Sequence, residues 1–155
     1  MHGLKEIKAH PSVRVAMNMA NAEACLAGNK HIEPFHILLA ILNIVDDQYD
    51  QASESMGLKP EEIKSVCEMA EQCRSRLKIS DKEITVIRRK LQNILRGREA
   101  PVPLHKLNCS NESTYLLQKA ARRSHKDGAE ELDLKSLLEE LLNNLPEEIS
   151  PFLGS

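Results

Sequence analysis

The sequence predicts an all-α fold, and three observations carry that prediction. Apolar residues recur at i, i+3, i+4 and i+7 in one segment after another, the period of a helix with one buried face. Those residues are mostly Leu, Ile, Ala and Met, with 3% aromatic residues and no Trp, and few runs are rich in the β-branched types that strands favour. Finally, the stretch Ile32 to Leu42 is echoed 100 positions later by Leu132 to Leu142, and each copy follows an alanine-bearing segment closed by glycine, Gly28 and Gly128. The expectation is a pseudo-twofold double repeat of about eight helices in a single domain spanning residues 1–155.

The first helix is predicted from Pro11 to Ala27, with Val13, Ala16, Met17, Ala20 and Ala24 on one face. Pro11 suits the first helical position, Gly28 suits the residue after the helix, and the small alanines allow close helix packing. Glu33-Pro34 opens a second helix whose buried stripe is Ile37, Leu38, Ile41 and Leu42, and Asp46-Asp47 ends it. A short third helix runs from Gln48 to Met56 before Gly57, and Lys59-Pro60-Glu61-Glu62 starts a fourth that reaches Leu77. Ser80-x-x-Glu83 is a capping box, in which Ser and Glu side chains each serve a backbone N–H of the first turn. It announces a fifth, basic helix with the stripe Ile84, Ile87, Leu91, Ile94 and Leu95.

Gly97 and Ala100-Pro101-Val102-Pro103 stop that helix, and an extended linker follows to Cys109. Ser110 caps the sixth helix, Asp133 caps the seventh, and Pro146 opens a last short helix ending near Leu153. Repeat one thus spans about residues 10–77, the inserted helix and linker 78–109, and repeat two 110–153. No counterpart of the fourth helix follows in the second repeat, the pattern expected if a larger protein continues beyond this segment.

A net charge of −2 gives no global attraction to nucleic acid or to an anionic membrane. The charge is unevenly placed: Arg74, Arg76, Lys78, Lys82, Arg88, Arg89, Lys90, Arg96 and Arg98 face only Asp81 and Glu83 in that stretch. Cys25, Cys67, Cys73 and Cys109 show no CxxC pair or disulfide framework, which fits a reducing, cytoplasmic setting. No apolar run approaches a membrane span. There is no GxxxxGK[ST] loop, no Rossmann glycine pattern and no nucleophile elbow.

The set Ala20-x3-Ala24-x3-Gly28-x3-Ile32 followed by His36-Ile37-Leu38-Leu39-Ala40-Ile41-Leu42 is similar to the "HLLLALL" signature of the Clp amino-terminal domain. Over about residues 10–145 the chain resembles that double-repeat module, which stands at the front of Clp-type unfoldases and disaggregases of the AAA+ class. The stretch from Ala52 to Met69 also resembles the segment closing the family's first repeat. The chain departs from the pattern in its long, basic inter-repeat insertion, in Ser136 opposite His36, and in His10 where the family has Ser or Thr, the role Ser110 keeps.

The resemblance implies a non-catalytic domain, without cofactor or metal, that receives a substrate or adaptor protein for an AAA+ ATPase module in cis or in trans. Its implied partner-contact positions are His10, Val13, Phe35, Ser110 and Lys135. Some family members bind phosphoarginine through an acidic residue directly before the signature histidine, but Phe35 and Lys135 stand there and neither pairs with a guanidinium. Phe35 suits an apolar peptide in a groove between the repeats, or else packs in the core beside Pro34. His36 reads either as a hydrogen-bonded structural residue or, with His10, His31 or Cys25, as a ligand or base.

Arg88, Arg89, Lys90 and Arg96 form a possible docking face for an acidic partner, or a solvated face whose stems cover their own apolar stripe. A stand-alone helical regulator acting through that helix is the alternative function, and a small enzyme on a helical bundle a third. Nucleic acid is a minor option, because no aromatics are interleaved with the basic residues.

Overall fold

In the computed structural model, residues 8–95, 100–145 and 150–153 are described. They are all-α: α1 (Pro11–Leu26), α2 (Pro34–Val45), α3 (Asp50–Met56), α4 (Pro60–Leu77), α5 (Asp81–Leu95), α6 (Asn111–Lys126), α7 (Leu134–Leu142) and α8 (Ser150–Leu153). Among them, no helix is long and apolar enough to cross a membrane. Pro146 and Arg96, both given roles above, lie outside the described residues.

The helix ends are built largely as the local chemistry demands. Gly28 and Gly128 have φ of 71° and 90°, the left-handed region that costs glycine nothing. At each, two backbone bonds wrap the helix end: Gly28 and Asn29 donate to Cys25 and Ala24, while Gly128 and Ala129 donate to His125 and Ser124, at 2.9 to 3.0 Å. The capping box of α5 is formed, Ser80 N–H donating to Glu83 Oε1 at 3.0 Å and Glu83 N–H to Ser80 Oγ at 3.2 Å.

α3 starts at Asp50 rather than Gln48. The reason is the stop on α2: Asp47 takes a left-handed φ of 60° and Gln48 N–H folds back onto Asn43 O at 2.8 Å. Gln48 and Tyr49 are therefore spent in the turn. Arg74 of α4 secures it, donating to Val45 O and pairing with Asp47.

α1 and α2 pack as one hairpin and α6 and α7 as another. α2 is the element that everything else surrounds: α1, α4, α5, α6 and α7 all pack against it, and every residue from His36 to Val45 is buried. Two short parallel bridges join the hairpins. Leu132 pairs with Ala9, through His10 N–H to Leu132 O (2.9 Å) and Leu132 N–H to Lys8 O (2.8 Å). Cys109 pairs with Ile32, through Ser110 N–H to Ile32 O and Ile32 N–H to Asn108 O, both 3.0 Å.

α5 is a structural part of this core. Ile84, Ile87 and Leu91 are fully buried, α2 is its principal neighbour, and Arg88 pairs with Asp46 at the end of α2 at 2.6 Å. Truncating Ile87 to Ala should cost about 2–5 kcal/mol of unfolding free energy in urea titration. A loss below about 0.5 kcal/mol, the ordinary surface value, would mean that α5 is an appendage.

Candidate functional site

A concavity of about 580 Å³ lies between α1 and the extended segment that precedes α6. That segment is strapped onto α1 at several points. Val102 N–H donates to Cys25 O at 2.9 Å, and the Asn21 carboxamide both donates to His105 O (2.9 Å) and accepts from Leu107 N–H (2.7 Å). Met17, Ile32, Leu104 and Leu107 supply an apolar lining, and Asn18 and Asn21 supply amides. An apolar trough with a few convergent polar groups has the usual make-up of a ligand-binding pocket.

The one Cys–His approach in this region is not a nucleophile and base. His105 Nδ1 lies 2.8 Å from Pro103 O, so it carries a proton and donates there. The same nitrogen is 3.9 Å from Cys25 Sγ and has no lone pair with which to take the thiol proton; the thiol instead donates to His105 O at 3.4 Å. Elsewhere burial pushes the Cys73 thiol up to about 12, which keeps it protonated and inert. Among the described residues, no cluster of three or more His, Cys, Asp or Glu is placed to hold a metal ion.

His36 is fully buried and acts as a capping residue. Its Nδ1 accepts the Glu33 N–H at 2.8 Å, the part that Glu or Gln plays at this position in a capping box. The neutral ring therefore carries its hydrogen on Nε2, 3.3 Å from the Asn29 side-chain amide; two donors cannot bond, so the amide oxygen must face the ring. Burial outweighs the nearby Glu33 carboxylate and pushes the His36 pKa down to about 4. That leaves no ring nitrogen free for a metal or a proton relay.

The other predicted contact residues are scattered. His10 is half-buried, and its Nδ1 caps α1 by accepting Ser12 N–H at 3.1 Å. Val13 is only 2% exposed and belongs to the core, so it has no surface to offer a partner. Ser110 caps α6, its Oγ accepting Ser113 N–H at 3.1 Å. Phe35 is half-buried against the core in the first turn of α2. Lys135 is exposed beside Gln72, Asp133 and Glu139 in a polar recess between α4 and the α6–α7 hairpin.

In the basic set, Arg88 is tied to Asp46, Arg89 is exposed, Lys90 is half-buried and engaged, and Arg96 lies outside the described residues. Arg88 is thus already paired within the fold, and of the described cations in this set Arg89 faces solvent. Asn21, which holds the strap, and Tyr115, exposed on α6, were not singled out from the sequence. Asn21 gave no signal there, because its partners lie more than eighty residues away.

No protein-family model, curated protein or solved structure matches this chain.

Since the pKa of His36 is lower in the folded chain than its ordinary 6.5, its contribution to stability is complete above about pH 6.5. That contribution is lost as pH falls towards 4, to a total of about 3 kcal/mol. His36→Gln keeps an acceptor for Glu33 N–H without a titrating ring. Between pH 7.5 and pH 4.5, unfolding free energies should fall by about 2 kcal/mol more in the wild type than in His36→Gln. Equal losses would show that the ring is not held neutral.

Proposed function

We propose that this chain is a non-catalytic, double-repeat binding module of the Clp amino-terminal type, which receives a substrate or adaptor protein for an AAA+ unfolding machine. The observation that carries the reading is the reciprocity of the two bridges. At the offset of 100, Ala9 corresponds to Cys109 and Ile32 to Leu132, and Ala9 pairs with Leu132 while Cys109 pairs with Ile32. Each unit thus gives its leading segment to the other unit's pre-helical segment, the relation a twofold axis requires. The repeated glycine stops and the first-turn caps at positions 33 and 133 support the same reading.

Two features support binding as the activity. The trough along α1 is apolar, open and rimmed with amides, and Phe35 presents part of a large ring next to Pro34 at the start of α2. The pairing of Arg88 with Asp46 counts against a regulator acting through the basic helix, and the tautomer of His105 counts against a cysteine hydrolase.

The test is capture of a permanently unfolded polypeptide by the immobilised chain, with Phe35→Ala compared. Capture by the wild type, weakened about tenfold in the variant, is the expected result. Because Phe35 is half-buried, its truncation should cost about 1–2 kcal/mol of stability, below the 3–5 kcal/mol of a fully buried Phe. A loss of several kcal/mol with unchanged capture would make Phe35 purely structural, and absence of capture would remove the substrate-receiving role.

A further inference from the structure

The apolar part of the trough along α1 is aliphatic. Met17, Ile32, Leu104, Leu107 and Cys109 supply it, with no Phe or Tyr among the described lining residues. Leu104 is 74% exposed, a large aliphatic side chain left in water. The space of about 580 Å³ falls within the range of small-molecule pockets, about 300–1,000 Å³.

Much of the polar chemistry here is already used by the fold. Asn21 spends both ends of its carboxamide on the strap, at His105 O and Leu107 N–H, and the His105 ring donates to Pro103 O. Val102 N–H and Asn108 O are taken by Cys25 O and Ile32 N–H. An extended peptide laid against the strap would find these donors and acceptors occupied, and peptide groups buried without partners are costly. An alkyl chain has no such groups to satisfy.

Charge defines the other end of the occupant. Lys106 is exposed and is the only Lys, Arg, Asp or Glu in the lining. Among the described residues it has no carboxylate partner, whereas Arg14, Arg74, Arg76, Arg88 and Arg123 each have one. Glu23, Glu33 and Glu54 adjoin lining residues in the chain, but none of them lines the trough, and Glu23 lines a separate recess with Leu26 and Gln92. An aliphatic trough with a single unpaired cation is complementary to an alkyl chain that ends in a carboxylate. We infer that the trough is a binding site for a medium-chain fatty acid, its alkyl chain on Met17, Ile32, Leu104 and Leu107 and its carboxylate paired with Lys106. This is a small-molecule site, beyond the polypeptide capture proposed above, and it does not depend on the double repeat.

The probe is dansylaminoundecanoic acid, whose emission rises and shifts to the blue when its chain leaves water. Titrated with the full chain below its micellar concentration, it should give a saturable rise. Decanoate should displace it, and decanol, which lacks the carboxylate, should do so at least tenfold more weakly. Lys106→Glu and Leu104→Asp should each weaken probe binding about tenfold; both residues are exposed, so both variants should keep the wild-type circular dichroism. Arg89→Glu, the same reversal at an exposed cation on α5, should leave binding unchanged. Absence of a saturable rise, or binding indifferent to either Lys106→Glu or Leu104→Asp, overturns the proposal. So does displacement by an apolar tetrapeptide at a lower concentration than decanoate, since the occupant would then be polypeptide. Capture of unfolded polypeptide is read on the same preparations: if it persists when the probe fails to bind, only this inference falls, and probe binding without capture removes only the substrate-receiving role.

Discussion

A helix that is apolar on every side has to be surrounded, and the burial of α2 is the constraint on which the rest of this structure depends. From Ile37 to Val45 only Asn43 is polar, and every residue is buried. Each buried Leu or Ile contributes about 1.5–3 kcal/mol of gross transfer free energy, a gain realised only if other elements close over all faces. α1, α4, α5, α6 and α7 each supply part of that cover. His36 makes the buried start of α2 tolerable, because its neutral ring pairs the Glu33 N–H without placing a charge in the core.

The same constraint explains what was and was not legible in the sequence. Caps and stops are local, and they were readable: Ser80 with Glu83, Ser110, Asp133, Gly28 and Gly128 all do what their types and positions imply. For α2, only the stripe Ile37, Leu38, Ile41 and Leu42 was assigned inward, although Leu39, Ala40, Ile44 and Val45 are buried as well. Those four residues carried a further signal, since a helix apolar all round requires a neighbour on its far side. α5 is that neighbour, which is why a segment that reads as a basic insertion buries three large aliphatic side chains. Its charges distract from the stripe that positions it.

The candidate sites were less legible, because their geometry is made by segments far apart in the chain. The trough along α1 exists only because residues near 105 fold back onto Asn21 and Cys25. Val13 was legible as a core residue from its place on the face of Ala16, Met17, Ala20 and Ala24, and it is buried there; the contact role came only from the resemblance. Asp46-Asp47 was legible as the end of α2, but the left-handed turn at Asp47 was not, because such a stop is expected first of Gly and the contacts of Arg74 that hold it come from another helix.

The α1–α2 and α6–α7 hairpins share caps and glycine stops at an offset of 100 but are buried to different degrees. α2 carries only His36 and Asn43 as polar residues, both buried, while α7 has Lys135 exposed and Glu139 engaged with Arg76 at 2.6 Å. α1 carries Val15 under cover where α6 carries an exposed Tyr115. The groove on the α6–α7 hairpin, about 320 Å³, combines the Tyr115 ring, Lys119 over it and the apolar Leu116 and Leu141 with Glu112, Glu140 and Asn144. The asymmetry thus lies in burial: α2 is enclosed from His36 to Val45, whereas α6 leaves Tyr115 in the open.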